Sequence, residues 1–165
     1  MPWSPFFNRL LSSFALNWHV GHALTSPLNV LGGQSGMETA GLQFTDNSSL
    51  KGREDRYTVV RVDASAILKS WRQSLFSFEW LHPDGSIRGL DDLPLHERDK
   101  RIKVEKHLKV GDVLERPVLG IGMLDNVEIG AGRDIFLTLA AQGVPEIEVH
   151  VPVSSKSEFA SFIRG

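Results

Sequence analysis

The spacing of apolar positions changes several times along the chain, and each change predicts an element. Tyr57-Thr-Val-Val-Arg-Val62 alternates and is β-branched, the pattern of a strand with one buried face. Asp63 follows, where a carboxylate can accept from the free N–H groups of a first helical turn, and Ala66, Ile67, Leu68 and Trp71 then predict a short helix. Phe76-Ser-Phe-Glu-Trp80 reads as a second strand, and His82-Pro-Asp-Gly-Ser86 as a turn that folds Ile87 back as its hairpin partner. Pro94 opens a charged segment that runs to Lys109, with Gly111 where a helix C-cap glycine belongs.

The last third is more regular. Pro117-Val-Leu-Gly-Ile121 predicts an apolar strand, Leu124-Asp-Asn126 a turn, and Val127-Glu-Ile129 the returning strand. Gly130-Ala-Gly132 interrupts it. A helix is predicted from Arg133 to Gln142, with Phe136, Leu139 and Ala140 as its inward stripe. Gly143 and Pro145 end that helix, and Ile147-Glu-Val-His-Val151 alternates as a further strand. A closing helix is expected over Ser157 to Ile163.

The first fifty residues carry only Arg9, Glu38 and Asp46 as charges, and Gly32 to Ser49 is rich in Gly, Ser, Thr and Asn. Charge density jumps at Lys51-Gly-Arg-Glu-Asp-Arg56. These shifts predict a partly helical N-terminal extension and linker over 1–51, packed against an α+β domain over 52–165 made of a small mixed sheet and helices. A chain of 165 residues has room for one such domain plus an ordered extension.

Composition narrows the chemistry. The chain has no cysteine, which excludes disulfides, thiolate nucleophiles and Cys-ligated zinc. Its net charge is −2, so binding to nucleic acid must rest on a local basic patch. Hydrophobic residues at 41% and charged residues at 23% are ordinary globular values. The start, broken by Pro2 and Pro5 and lacking a basic run, does not read as a secretory signal. The expected location is cytoplasmic. Phe6, Phe7, Leu10, Leu11 and Phe14 share a helical face that fits either packing on the protein's own domain or peripheral contact at the inner membrane.

Two stretches carry candidate chemistry. A strand, the Gly130-Ala131-Gly132 turn and a helix in succession bring backbone N–H groups and the positive end of a helix dipole to a turn with little side-chain bulk, the description of an anion site. Arg133 adds a planar donor fork, and Glu128 and Asp134 are the nearest carboxylates. From spacing alone the same residues also fit a plain strand-to-helix turn with Asp134 as a cap. A dinucleotide fingerprint fails, because its third glycine would fall on Ile135. The second stretch is Lys100, Arg101, Lys103 and Lys106, flanked by Arg98 and Lys109 and offset by Glu97, Asp99 and Glu105. It fits either a patch facing DNA phosphates or a solvated helix laced with ion pairs. His19 and His22 stand at i, i+3 without a third metal ligand nearby, His150 ends a strand, and no Gly-x-Ser-x-Gly elbow marks a serine hydrolase.

The run from Val113 to Val151 resembles the core motif of the ParB/sulfiredoxin superfamily, in Gly132, Ala140-Ala141, Gly143-Val-Pro145 and Ile147-Glu-Val149. The family's two basic positions fall here on Asp134 and Ile135, leaving Arg133, one place earlier, as the motif's cation. Sulfiredoxin chemistry is excluded, since it needs a cysteine. Within the superfamily the chain is most similar to plasmid fertility-inhibition factors of the Osa type, through Val59-Val-Arg-Val-Asp63 and Ser70-Trp71-Arg72. The resemblance implies a protein that hydrolyses ATP and cleaves DNA and that blocks DNA transfer through a type IV secretion apparatus, with a component such as a coupling protein as partner. Read from the residues, phosphate-ester chemistry at the turn would place ATP on Gly130, Ala131, Gly132 and Arg133, with Arg133, Glu128 and Asp134 as candidate catalytic residues and a carboxylate orienting water or Mg²⁺, and the basic segment would place DNA on Lys100, Arg101, Lys103 and Lys106. A non-catalytic docking inhibitor on the same fold is the alternative.

Overall fold

The computed structural model describes residues 41–163. Six strands and three α-helices follow in order: β1 (Phe44–Thr45), β2 (Tyr57–Asp63), α1 (Ala64–Trp71), α2 (Leu95–Val110), β3 (Leu114–Glu115), β4 (Leu119–Ile121), β5 (Val127–Ile129), α3 (Arg133–Ala141) and β6 (Glu146–Pro152). They make a mixed α+β domain whose strands pair two by two: β1 with β3 in parallel, β2 with β6 and β4 with β5 antiparallel. A bridge from Val118 to His150 ties the β4 segment to β6.

The β2–β6 ladder is the spine. It runs from Tyr57 opposite Pro152 to Asp63 opposite Glu146. The β-branched alternation of β2 works as expected, with Val60 and Val62 buried and Val59 and Arg61 exposed. Ile147, Val149 and Val151 of β6 join them, and Ile67, Trp71, Phe136, Leu137 and Leu139 close over this surface from α1 and α3.

Local signals set most element ends. Asp63 Oδ1 accepts from the Ala66 N–H at 2.9 Å and so caps α1. Gly111 ends α2 in the left-handed region at φ 72°, which glycine enters without a Cβ clash. The 82–86 turn forms, with Gly85 at φ 90°, and Ile87 bridges back to Leu81. α3 is buried beyond its expected stripe, at Leu137 and Thr138 as well as Phe136 and Leu139, because α2 packs on it.

The expected strand over Phe76 to Trp80 is a 3-10 turn instead, Ser77–Glu79. The buried positions here are Trp71, Ser74, Ser77 and Trp80, a period of three, and Ser74, Ser77 and Trp80 each donate their N–H to the carbonyl three residues earlier. Two of those inward positions are serines, so the hydrophobic pattern does not show the period. The Ser77 hydroxyl donates to the carbonyls of Arg72 and Ser74, which holds the tight winding. The closing segment is likewise 3-10, over Glu158–Phe162, with Phe159 buried.

The stretch before residue 52 contributes structure of its own. Phe44 pairs with Leu114, the Asn47 side chain donates to the Arg116 carbonyl at 2.8 Å, and Leu50 is buried. Among the described residues no helix is long and apolar enough to cross a membrane. The Phe6–Phe14 stripe and the His19–His22 pair lie outside the described residues.

Candidate phosphate-binding cleft

The two stretches singled out in the sequence meet. Packing of α2 against α3 brings Lys100 and Lys103 beside Gly130, Gly132, Arg133 and Asp134, and β5 adds Glu128 to the same open cleft of about 550 Å³. Phe76, Glu97 and Ile129 complete its wall.

The glycine turn is built by close approach. Gly132 sits at φ 73° as the N-cap residue of α3, and a Cβ there would lie 3.1 Å from the Pro117 Cα. Both facts strain any larger residue here. No side chain caps α3, so Asp134 does not fill the capping position that the plain-turn reading assigned to it. The first-turn N–H groups, which have no partner within the helix, therefore open at the cleft end of α3 together with the positive end of its dipole.

Arg133 is steered by two contacts: its guanidinium lies 5.4 Å from the centroid of the Phe76 ring and 3.9 Å from Glu97 Oε1. Glu97 is the hub. It is 1% exposed, accepts from the Trp80 indole N–H at 2.8 Å through Oε2, and accepts from Lys100 Nζ at 2.7 Å through Oε1. Burial pushes its pKa up, but the hydrogen bonds from Lys100 and Trp80 and the charges of Lys100 and Arg133 together outweigh burial, and the carboxyl is held below its ordinary range.

Glu128 is also held. Its Oε2 accepts from the Ser74 hydroxyl at 2.6 Å and its Oε1 from the Asn126 amide at 2.8 Å. The β-strand alternation that keeps Val127 and Ile129 inside leaves Glu128 between them facing the cleft. Lys103 and Asp134 make no side-chain hydrogen bond or ion pair among the described residues, so both stay available to a ligand. Three cations and three carboxylates thus line the cleft, with Glu97 and Glu128 already engaged by the protein's own donors.

Not every expected residue is there. Ala131 lies in the turn but does not line the cleft. Arg101 turns away, donating to Glu105 at 2.9 Å and to the Arg88 carbonyl at 3.0 Å, while Lys106 is exposed outside the cleft. The four-residue basic patch therefore divides, and only Lys100 and Lys103 belong to this cleft. His150 is buried away from it, beside Asp46 and Arg116. Glu97, Phe76, Ser74 and Asn126 were not legible as site residues: a glutamate in a charged helix reads as solvated, and Phe76 read as a strand position.

The described residues thus define a mixed α+β domain with a polar, partly cationic cleft at a helix N-terminus. No protein-family model, curated protein or solved structure matches this chain.

Proposed function

We propose that this protein is a phosphate-ester enzyme with a ParB/sulfiredoxin-like arrangement that hydrolyses ATP and cleaves DNA, and that it acts as a plasmid fertility-inhibition factor by blocking DNA transfer through a type IV secretion system. The observation that carries this reading is convergence: the Gly130–Gly132 turn, the α3 N-terminus, Arg133, Lys100 and Lys103 line one cleft although they come from separate parts of the chain. The order strand, turn, strand, glycine turn, helix, glycine and strand from Leu119 to Val151 supports the fold assignment.

The residues present suit a phosphate group. The helix-end N–H groups and Arg133 would hold its oxygens, and Lys100 and Lys103 would add point charges at the rim. Glu128, fixed by Ser74 and Asn126, and Asp134 supply the hard oxygen donors that would hold Mg²⁺, which would neutralise phosphate charge when bound. In this reading Arg133 does most for a transition state in which phosphoryl oxygens gain charge, and less for a resting complex. The protein works in the cytoplasm, or peripherally at the inner membrane, on a partner such as a coupling protein. The second reading, a docking inhibitor without chemistry, is favoured by Asp134 and Ile135 standing where the resembled family carries its two basic residues.

Phosphate release from ATP with Mg²⁺ tests the proposal, using the full chain beside Arg133→Ala, with circular dichroism to confirm that both fold. Release by the wild type, reduced about a hundredfold or more in the variant, is expected. No release by the folded wild type would sink the catalytic reading and leave docking in its place.

A further inference from the structure

Behind the cleft wall, Glu79, His96 and Glu97 present one ligand atom each, all within 4.8 Å of one another. His96 Nε2 lies 3.3 Å from Glu79 Oε1 and 3.5 Å from Glu97 Oε1. Two ligands of a tetrahedral ion held at about 2.0–2.1 Å are separated by about 3.3–3.4 Å, which is the edge of that tetrahedron. We propose that these three side chains form a binding site for a divalent first-row cation of the zinc type, with solvent in the remaining position.

Three features favour an ion here over a chance meeting of polar groups. The ligands sit on short-range structure: Glu79 ends the 3-10 turn whose winding Ser77 holds, and His96 and Glu97 are consecutive in the first turn of α2. Glu97 is oriented from behind, since the buried Trp80 indole fixes Oε2 and leaves Oε1 toward His96, the outer-shell support that ligating carboxylates typically have. Access is open as well, because the His96 side chain is 60% exposed and that of Glu79 20%. One imidazole with two carboxylates suits zinc better than magnesium, which prefers oxygen donors alone.

Lys100 is the nearer competitor, with its ammonium 2.7 Å from the same Glu97 oxygen, and the Arg133 guanidinium stands 3.9 Å from that oxygen. The Lys100 side chain is 48% exposed, so it can return to water when an ion arrives and supplies the positive charge beside Glu97 in its place. The rival explanation of the cluster is the pair of His96–carboxylate contacts alone, with no metal. The two explanations part on binding. This site does not depend on the phosphate reading, because its ligands are tested by the ion alone.

The experiment titrates tag-free full-length protein, stripped with chelator, with Co²⁺ as a spectroscopic substitute and with Zn²⁺ by calorimetry, beside His96→Ala, Glu79→Gln and the double variant His19→Ala/His22→Ala. His96 and Glu79 are exposed enough that folding should survive, which circular dichroism checks; Glu97 is left intact. The expected result is one equivalent bound, with the intense visible Co²⁺ absorption of four-coordinate geometry, weakened about tenfold or more in His96→Ala and in Glu79→Gln and unchanged in the double variant. Absence of binding by the wild type, or binding that persists unchanged in both His96→Ala and Glu79→Gln, would overturn the proposal.

Discussion

Glu97 ties the core to the cleft, and its removal has effects that can be worked out in advance. In Glu97→Ala the buried Trp80 N–H loses its acceptor, and an unsatisfied buried donor costs about 1–3 kcal/mol. The lost methylene packing of a 1% exposed side chain adds about 1 kcal/mol. The Lys100 contact adds little, since that ammonium is half in water already. The expected destabilisation is therefore about 2–4 kcal/mol. Glu97→Gln keeps the shape and one acceptor for Trp80 and should cost about 1 kcal/mol, the difference between a charged and a neutral hydrogen bond. Urea unfolding at pH 7, followed by far-ultraviolet circular dichroism, measures both. If Glu97→Ala unfolds within about 0.5 kcal/mol of the wild type, the buried carboxylate does not anchor Trp80 and the account of this wall is wrong. The pH dependence has a definite sign: because the folded pKa is lowered, the contribution is complete above the unfolded value of about 4.3 and disappears as pH falls through the folded one. Acid unfolding of Glu97→Gln should accordingly be less steep than that of the wild type.

Two further perturbations test the surroundings. Gly132→Ala must hold a left-handed backbone at about 1–2 kcal/mol while its Cβ meets Pro117 at 3.1 Å, so its urea midpoint should drop and its phosphate release, if the cleft is catalytic, should drop with it; unchanged stability would refute the close approach. His150 is 6% exposed, and its Nε2 lies 3.4 Å from Asp46 Oδ1 without aligning for a hydrogen bond. Burial lowers its pKa, the Asp46 charge opposes that shift, and the Arg116 charge adds to it. The unfolded chain therefore takes up this proton first, and stability should be full above about pH 6.5 and fall below it. Comparing urea midpoints at pH 7.5 and 5.5 should show a smaller loss in His150→Gln than in the wild type, and equal losses would refute the assignment.

What the sequence determined by itself was local. β2, α1, β5, α3 and β6 were legible because each carries its own signal: alternation at Tyr57 to Val62, the Asp63 cap, the glycines at 111, 132 and 143, and the apolar stripe of α3. Residues whose partners are near in sequence encode their structure in spacing. Only the tertiary structure decided the rest. The period of three from Trp71 to Trp80 was hidden because serines fill two of its inward positions, Ser77 satisfied by backbone carbonyls and Ser74 by the Glu128 carboxylate, partners that no hydropathy pattern records. The pairing of β2 with β6 joins residues nearly ninety apart, and the packing of α2 on α3 alone puts Lys100 and Lys103 at the glycine turn while sending Arg101 elsewhere. Burial of Glu97 belongs to the same class. Whether a carboxylate in a charged helix faces water or an indole depends on what lies across from it, and that neighbour, Trp80, comes from another part of the chain.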